Sequence, residues 1–169
     1  MVDEVNDDDF VISKRPLEMC LSNGYLHRAV SIFARSMSGK FCLQRRSLRD
    51  EWLPGFWTAS CTGHVKSGED YLSASKRELR EELGVETSEM KLLFKCVVPP
   101  IRFGSLIEYE IIYVLDALIE GDHVSPNSEV EEVRYFSLAE LKEFFSTNAG
   151  RITPDALHVL RRYLKAKKF

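Results

Sequence analysis

Residues 63–85, GHVKSGEDYLSASKRELREELGV, constrain the fold of this chain more than any other stretch. A loop carrying Gly63, Gly68 and Glu69 leads into a run with helical periodicity. At 3.6 residues per turn, Leu79 and Leu83 fall within about 20° of Leu72 and make a narrow apolar stripe. Glu78, Glu81 and Glu82 spread over roughly 100° on the other side. A helix macrodipole favours acids in the first turn and bases in the last. Here the acids occupy the last turns, where they repel both the dipole and one another. Selection for helix stability alone would avoid that arrangement, so the pattern predicts something cationic against the glutamate face.

Strand signals surround this helix. VDEV (2–5) and FVISK (10–14) flank an Asn-Asp turn and read as a hairpin. RAVSIFAR (28–35) and KFCLQRRS (40–47), separated by SMSG, read as a second. GFWTASC (55–61) is aromatic and β-branched and predicts a strand feeding the glycine loop; Ser67 marks a helix start three residues before Asp70. KLLFKCVV (91–98), LIEYEIIYVLDAL (106–118) and VEEVRYFS (130–137) are further strands, and two helices, LAELKEFFS (138–146) and PDALHVLRRYLKAKK (154–168), finish the chain.

At 169 residues one domain is expected, with a length sufficient for a proper core. A content of 44% hydrophobic and 29% charged residues is that of a soluble globular protein. A net charge of −3 argues against a surface devoted to polyanions, so no specific nucleic-acid binding is expected. Cys20, Cys42, Cys61 and Cys96 form no CxxC pair, which favours reduced thiols. The acidic start, MVDEVNDDDF, does not read as a signal peptide, and no apolar run approaches the ~18 residues of a membrane span. These features predict a cytoplasmic protein without a membrane partner. A homodimer is left open.

The spacing within 63–85 is specific. Gly63, five residues, Glu69, seven residues, Arg77-Glu78-Leu79, one residue, Glu81-Glu82, one residue, Gly84-Val85 is a complete Nudix box. The chain thereby resembles the Nudix hydrolase family, from about Leu26 to Leu141. The resemblance implies an α/β fold, a Nudix-like α/β/α sandwich on a mixed β-sheet, as one domain over 1–169. Within it, 1–25 would form an N-terminal hairpin and short helix, 63–85 the box and 138–169 the C-terminal helices. It also implies hydrolysis of a pyrophosphate bond in a nucleoside diphosphate derivative or related small molecule. Magnesium, with manganese as an alternative, would be held by Glu78, Glu81 and Glu82 and the Gly63 carbonyl. Hard magnesium prefers oxygen ligands, which suits carboxylates here. Arg77 and Glu69 would pair to lock loop against helix. The base that takes the water's proton would be a box glutamate or Glu129, on a later loop. On a strand, Arg45 and Arg46 point to opposite faces, and Arg46 is favoured as a phosphate ligand, with Lys66 a weaker candidate. Trp52, Phe56, Trp57 and Phe103 are candidates for stacking on a base.

One branch of the superfamily is closer. The segments LHRAV and QRRSLRDEWLPGFWTASCTGHV are similar to type I isopentenyl-diphosphate isomerase. That resemblance implies a second divalent metal site from His27, His64, Glu108 and Glu110, with Cys20 in place of a third histidine. Four departures weigh against isomerase chemistry. Thr62 replaces the cysteine expected before the loop glycine, and a one-residue shift would turn Cys61 to the other face. The helix keeps all three glutamates, Asp155 and Ala156 stand where a tryptophan is expected, and Asp50 replaces a phosphate-binding lysine. The sequence therefore favours a hydrolase over the isomerase, and over a non-catalytic nucleotide-binding module.

Overall fold

A computed structural model describes residues 1–87, 89–120 and 124–166. In chain order the elements are β1 (Val2–Val5), β2 (Val11–Arg15), α1 (Leu17–Asn23), β3 (His27–Ser36), β4 (Phe41–Arg46), β5 (Trp57–Thr58), β6 (Cys61–His64), α2 (Tyr71–Leu83), β7 (Glu89–Phe103), β8 (Leu106–Ile119), β9 (Val130–Phe136), α3 (Leu138–Thr147) and α4 (Pro154–Ala166). A 3-10 turn, Ala149–Arg151, precedes α4. The strands join one mixed sheet: β3 runs parallel to β8, from His27 opposite Glu110 to Ser36 opposite Ile119, and the other strand pairs are antiparallel. Residues 167–169 of the expected last helix lie outside the described residues.

Strand alternation sends neighbouring side chains into two separate cores. Phe33, Leu43 and Val114 pack with Leu141, Val159 and Tyr163 of α3 and α4. Ile32, Cys61 and Leu115 pack on the opposite face with Leu79 and Leu83 of α2. Helices thus cover both faces of the sheet, the expected α/β/α layering. Near one end of the paired β3 and β8, these layers leave a cleft.

Several elements differ from their sequence reading. The strand expected over 55–61 is two short strands, because the chain changes partner at Ser60. β5 pairs with β4 and β6 pairs with β3. The buried Ser60 hydroxyl spans the change, accepting from Ala34 N (2.7 Å) and donating to the Cys42 carbonyl. β3 and β4 share one register pair, Arg35 opposite Phe41, and then diverge. β6 takes over alongside β3, while β9 takes over alongside β4. Strand β7 runs longer than expected, passing Pro99-Pro100 with a register shift between Val98 and Ile101.

Helix α2 is capped by Asp70 rather than Ser67: its carboxylate accepts from Leu72 N (2.9 Å) and Ser73 N (3.0 Å). Its buried face also sits differently. Leu79 and Leu83 are fully buried, but Leu72 is exposed, and the burial continues through Ala74, Ser75, Glu78 and Glu82. Relative to the leucine stripe, the buried arc is therefore rotated by about 70° toward Glu82. Only Glu81 remains on the open side, with its side chain half exposed.

Candidate active site and metal centre

The glycine loop and α2 are joined by one guanidinium. Arg77 Nε donates to Glu69 Oε1 (3.0 Å) and Nη2 donates to Glu69 Oε2 (2.9 Å), a bidentate pair. Nη2 also donates to the His64 carbonyl (3.0 Å), and Nη1 donates to Glu78 and to Glu81 Oε2 (3.1 Å). Glu69 Oε2 further accepts from Lys66 N (3.0 Å). These hydrogen bonds from Arg77 hold the Glu69 carboxyl below its usual pKa against the opposing effect of burial. Arg77 is thus a cation supplied by the helix itself, which reaches Glu78 and Glu81 but not Glu82.

The remaining glutamates are held from the sheet. Gln44 Nε2 donates to Glu82 Oε2 (2.6 Å), and the Cys61 thiol also bonds this carboxyl. Burial still pushes the Glu82 pKa up to about 7. Glu78 lies so close to the β6 backbone that a Cβ built on Gly63 would come within 2.2 Å of its Cδ. Gly63 is therefore required for space and not for an unusual φ. The Gln44 partnership has no signal in the sequence motif, because it joins positions 38 apart through sheet register.

Beside this helix lies a second constellation. His27, His64, Glu108 and Glu110 each offer a ligand atom, and the four atoms lie within 4.8 Å of one another. Among the described residues the three helix glutamates do not converge in this way. The β3–β6 and β3–β8 registers bring the four together: Ala29 opposes His64 and His27 opposes Glu110, so all four side chains reach one patch. His27 is fully buried, and its Nδ1 lies 2.9 Å from the Tyr25 carbonyl. A carbonyl can only accept, so Nδ1 carries the proton and Nε2 presents a bare lone pair. Burial, then the nearby His64, pushes the His27 pKa down to about 4, keeping the ring neutral. Nε2 of His27 and Oε2 of Glu108 are buried without hydrogen-bond partners. His64 Nε2 lies 3.6 Å from Glu108 Oε2 and 3.5 Å from Glu110 Oε1. Burial and the adjacent Glu108 raise the Glu110 pKa. Two imidazole nitrogens and two carboxylate oxygens, with orphaned lone pairs aimed inward, fit a divalent ion of the zinc or manganese type. Cys20 is buried on α1 and is not one of the four.

Both constellations border a cavity of about 620 Å³, which Gly63, His64, Glu78, Glu82, Glu108 and Glu110 line. Arg46, Lys66 and Glu129 also open onto it. Arg46 Nε donates to the Trp52 carbonyl (2.8 Å) and its Nη2 pairs with Asp50 (2.5 Å), whereas Arg45 pairs with Glu132 (3.2 Å). Lys66 Nζ stands 4.0 Å from Glu81. Glu129 is exposed, and its backbone carbonyl accepts from Ser47 N (2.8 Å). Trp52 lines the cavity and meets Phe103 edge-on at 5.9 Å, but Trp57 is buried in the core among Phe136 and Phe144. Thr62 faces the cavity, while Cys61 is fully buried in the core beneath α2.

Comparisons with known proteins agree with this architecture. A family model described as the NUDIX domain matches residues 25–162. The chain is 32% identical over 160 residues to an isopentenyl-diphosphate Delta-isomerase of Serratia proteamaculans, covering 93% of this chain and 87% of that one. It is 25% identical to an uncharacterized Nudix hydrolase of Pseudomonas aeruginosa, covering 96% and 92% of the two chains. The crystal structure of a Deinococcus radiodurans protein superposes with a TM-score of 0.72 at 25% identity, covering 95% of this chain and 97% of that one.

Proposed function

The chain belongs to the NUDIX domain family, and from that premise we propose that it is a magnesium-dependent hydrolase of a pyrophosphate bond in a small organic diphosphate. The observation that carries this reading is the intact loop–helix unit: Arg77 pins Glu69, Glu78 and Glu81, Glu78 packs against Gly63, and Gln44 and Cys61 hold Glu82. Glu78, Glu81 and Glu82, with the Gly63 carbonyl, would hold the ion. A divalent ion there supplies positive charge against the diphosphate and lowers the pKa of the attacking water. Arg46 and Lys66 are assigned to the phosphates, since both open onto the cavity. The water's proton passes to a carboxylate at the cavity wall, for which Glu82 and Glu129 both qualify by position. Arg77 acts by positioning, with its donors already committed to protein oxygens.

A second reading, isopentenyl-diphosphate isomerase, is favoured by the His27, His64, Glu108 and Glu110 set and by the Serratia relative's name. Against it stands the burial of Cys61 on the far face of β6, with Thr62 toward the cavity. A threonine hydroxyl is far less acidic than a thiol, whose ordinary pKa is about 8.5, and carries a proton poorly. The test is a screen of nucleoside diphosphate sugars, dinucleotides, nucleoside triphosphates and prenyl diphosphates with magnesium. At least one should be cleaved, and Glu81→Gln and Glu82→Gln should each slow that cleavage by about 100-fold or more with the melting temperature preserved. Near-normal turnover in both variants would remove the ligand assignment.

A further inference from the structure

The first turn of α4 places one carboxylate at the cavity that the hydrolytic reading does not use. Asp155 lines the cavity, and its Oδ1 is shut off from solvent without a hydrogen-bond partner. The segment that presents it is fixed. Ile152 bridges to Trp57, and Thr153 N donates to the Trp57 carbonyl (2.9 Å). The Thr153 hydroxyl bonds that of Thr58 (3.3 Å), and Leu157 N closes the first helical turn on the Thr153 carbonyl (2.9 Å). Ile152, Thr153 and Ala156 are all buried, so the backbone cannot carry the carboxylate out to water. An enclosed acceptor without a donor costs about 1–3 kcal/mol. A fixed acceptor at a cavity wall is a site that a ligand can complete.

The chemistry of that ligand follows from the neighbours. Two further acids, Glu108 and Glu110, and one cation, Arg46, share the cavity wall with Asp155. Arg46 donates to Asp50 and the Trp52 carbonyl and leaves Asp155 Oδ1 without a bond. A diphosphate oxygen is itself an anionic acceptor and would repel Asp155. The missing group is a donor on the other half of the substrate, a hydroxyl or an amino group. We propose that Asp155 is the specificity-determining residue of this cavity, favouring diphosphate esters whose organic half carries a hydrogen-bond donor over those with a purely apolar tail. The proposal rests on the diphosphate reading given above. It follows the general asymmetry of recognition: a site built to bond a substrate hydroxyl strongly rejects the analogue that lacks one, because its own polar atom is left bare.

Binding, measured without turnover, separates this proposal from the reaction assignment. The probes are two nonhydrolysable methylenebisphosphonate monoesters of matched length, ribityl and pentyl, titrated calorimetrically into the full chain with magnesium. The wild type should bind the ribityl ester about 10-fold or more tighter than the pentyl ester. Asp155→Leu should erase that preference without weakening the pentyl ester. Asp155→Asn, which keeps an acceptor oxygen, should retain it. Asp155→Ala replaces the leucine variant where the latter does not fold. Manganese titration of the same variants should show unchanged ion affinity. A preference that survives removal of the carboxylate overturns the proposal alone. Loss of manganese binding in Asp155→Leu or Asp155→Ala assigns the residue to the ion and also overturns it. Failure of the wild type to bind either ester overturns the diphosphate reading and this inference with it.

Discussion

Single atoms decide the behaviour of the glycine loop. Gly63→Ala would drive a methyl group into the Glu78 carboxylate, the far end of a side chain that is itself buried. That carboxylate must move, so the variant should lose about 10-fold or more in activity while its melting temperature changes little. Equal activity in Gly63→Ala would show that the close approach has no functional part. Arg77→Lys substitutes a point charge for a fork that serves Glu69, Glu78, Glu81 and the His64 carbonyl. It should destabilise the protein by about 1–3 kcal/mol and depress activity with it; unchanged melting and turnover would contradict the loop–helix lock. Of these contacts the Arg77–Glu69 pair was expected, from the family resemblance; the bonds of Arg77 to Glu78, Glu81 and the His64 carbonyl and the approach of Gly63 to Glu78 were not. Nor were Gln44 and the burial of Cys61 on Glu82, since they depend on how β4 and β6 line up beneath α2. The sequence also placed all three glutamates opposite the leucines, whereas Glu78 and Glu82 are buried beside them. A helical wheel gives angles between residues but not which arc meets the sheet.

Among the elements, the N-terminal hairpin joins the sheet through β1 alongside β3, and its turn is tied down by one acid. Asp9 accepts from Arg28 Nε (2.6 Å), from Lys95 Nζ (3.0 Å) and from the Tyr113 hydroxyl. Burial alone would raise its pKa, but these hydrogen bonds prevail and hold it below the ordinary 3.8. Asp9 has φ 69°, a conformation that asparagine also tolerates, so Asp9→Asn removes charge without adding backbone strain. It should cost about 2–3 kcal/mol at neutral pH. The depressed folded-state pKa fixes the sign. Stabilisation by the ionised acid is complete above its unfolded value and is lost as pH falls through the lower folded value. The gap between wild type and variant in chemical denaturation should therefore be constant near neutrality and close below pH 3.8. A gap that widens in acid would contradict the ion-pair account. The hairpin itself was readable from its strand–turn–strand pattern. Its anchoring was not, since Lys95 and Tyr113 are 86 and 104 positions away from Asp9. The early parting of β3 from β4 escaped for a related reason: local pattern predicts a hairpin but not which later strands displace it.

For the molecule as a whole, the sheet brings two constellations of ligand-type side chains to one cavity: a carboxylate helix, and a patch of two histidines and two carboxylates across β3, β6 and β8. The family relation accounts for the framework, and the question of function reduces to which constellation carries the reaction. The α/β/α layering was predictable from the strand and helix order together with the box. The convergence of His27, His64, Glu108 and Glu110 was suggested only by resemblance, because no local spacing brings residues so far apart together. The most direct measurement is incubation with magnesium, manganese and zinc in deuterated water, offering isopentenyl diphosphate alongside a pyrophosphate substrate found in the screen. Hydrolysis that disappears in Glu81→Gln and Glu82→Gln, with no dimethylallyl diphosphate formed, is the expected result. Deuterium-labelled dimethylallyl diphosphate, lost in Glu110→Gln but retained in Glu81→Gln, would contradict the hydrolase assignment and transfer the chemistry to the histidine–carboxylate patch.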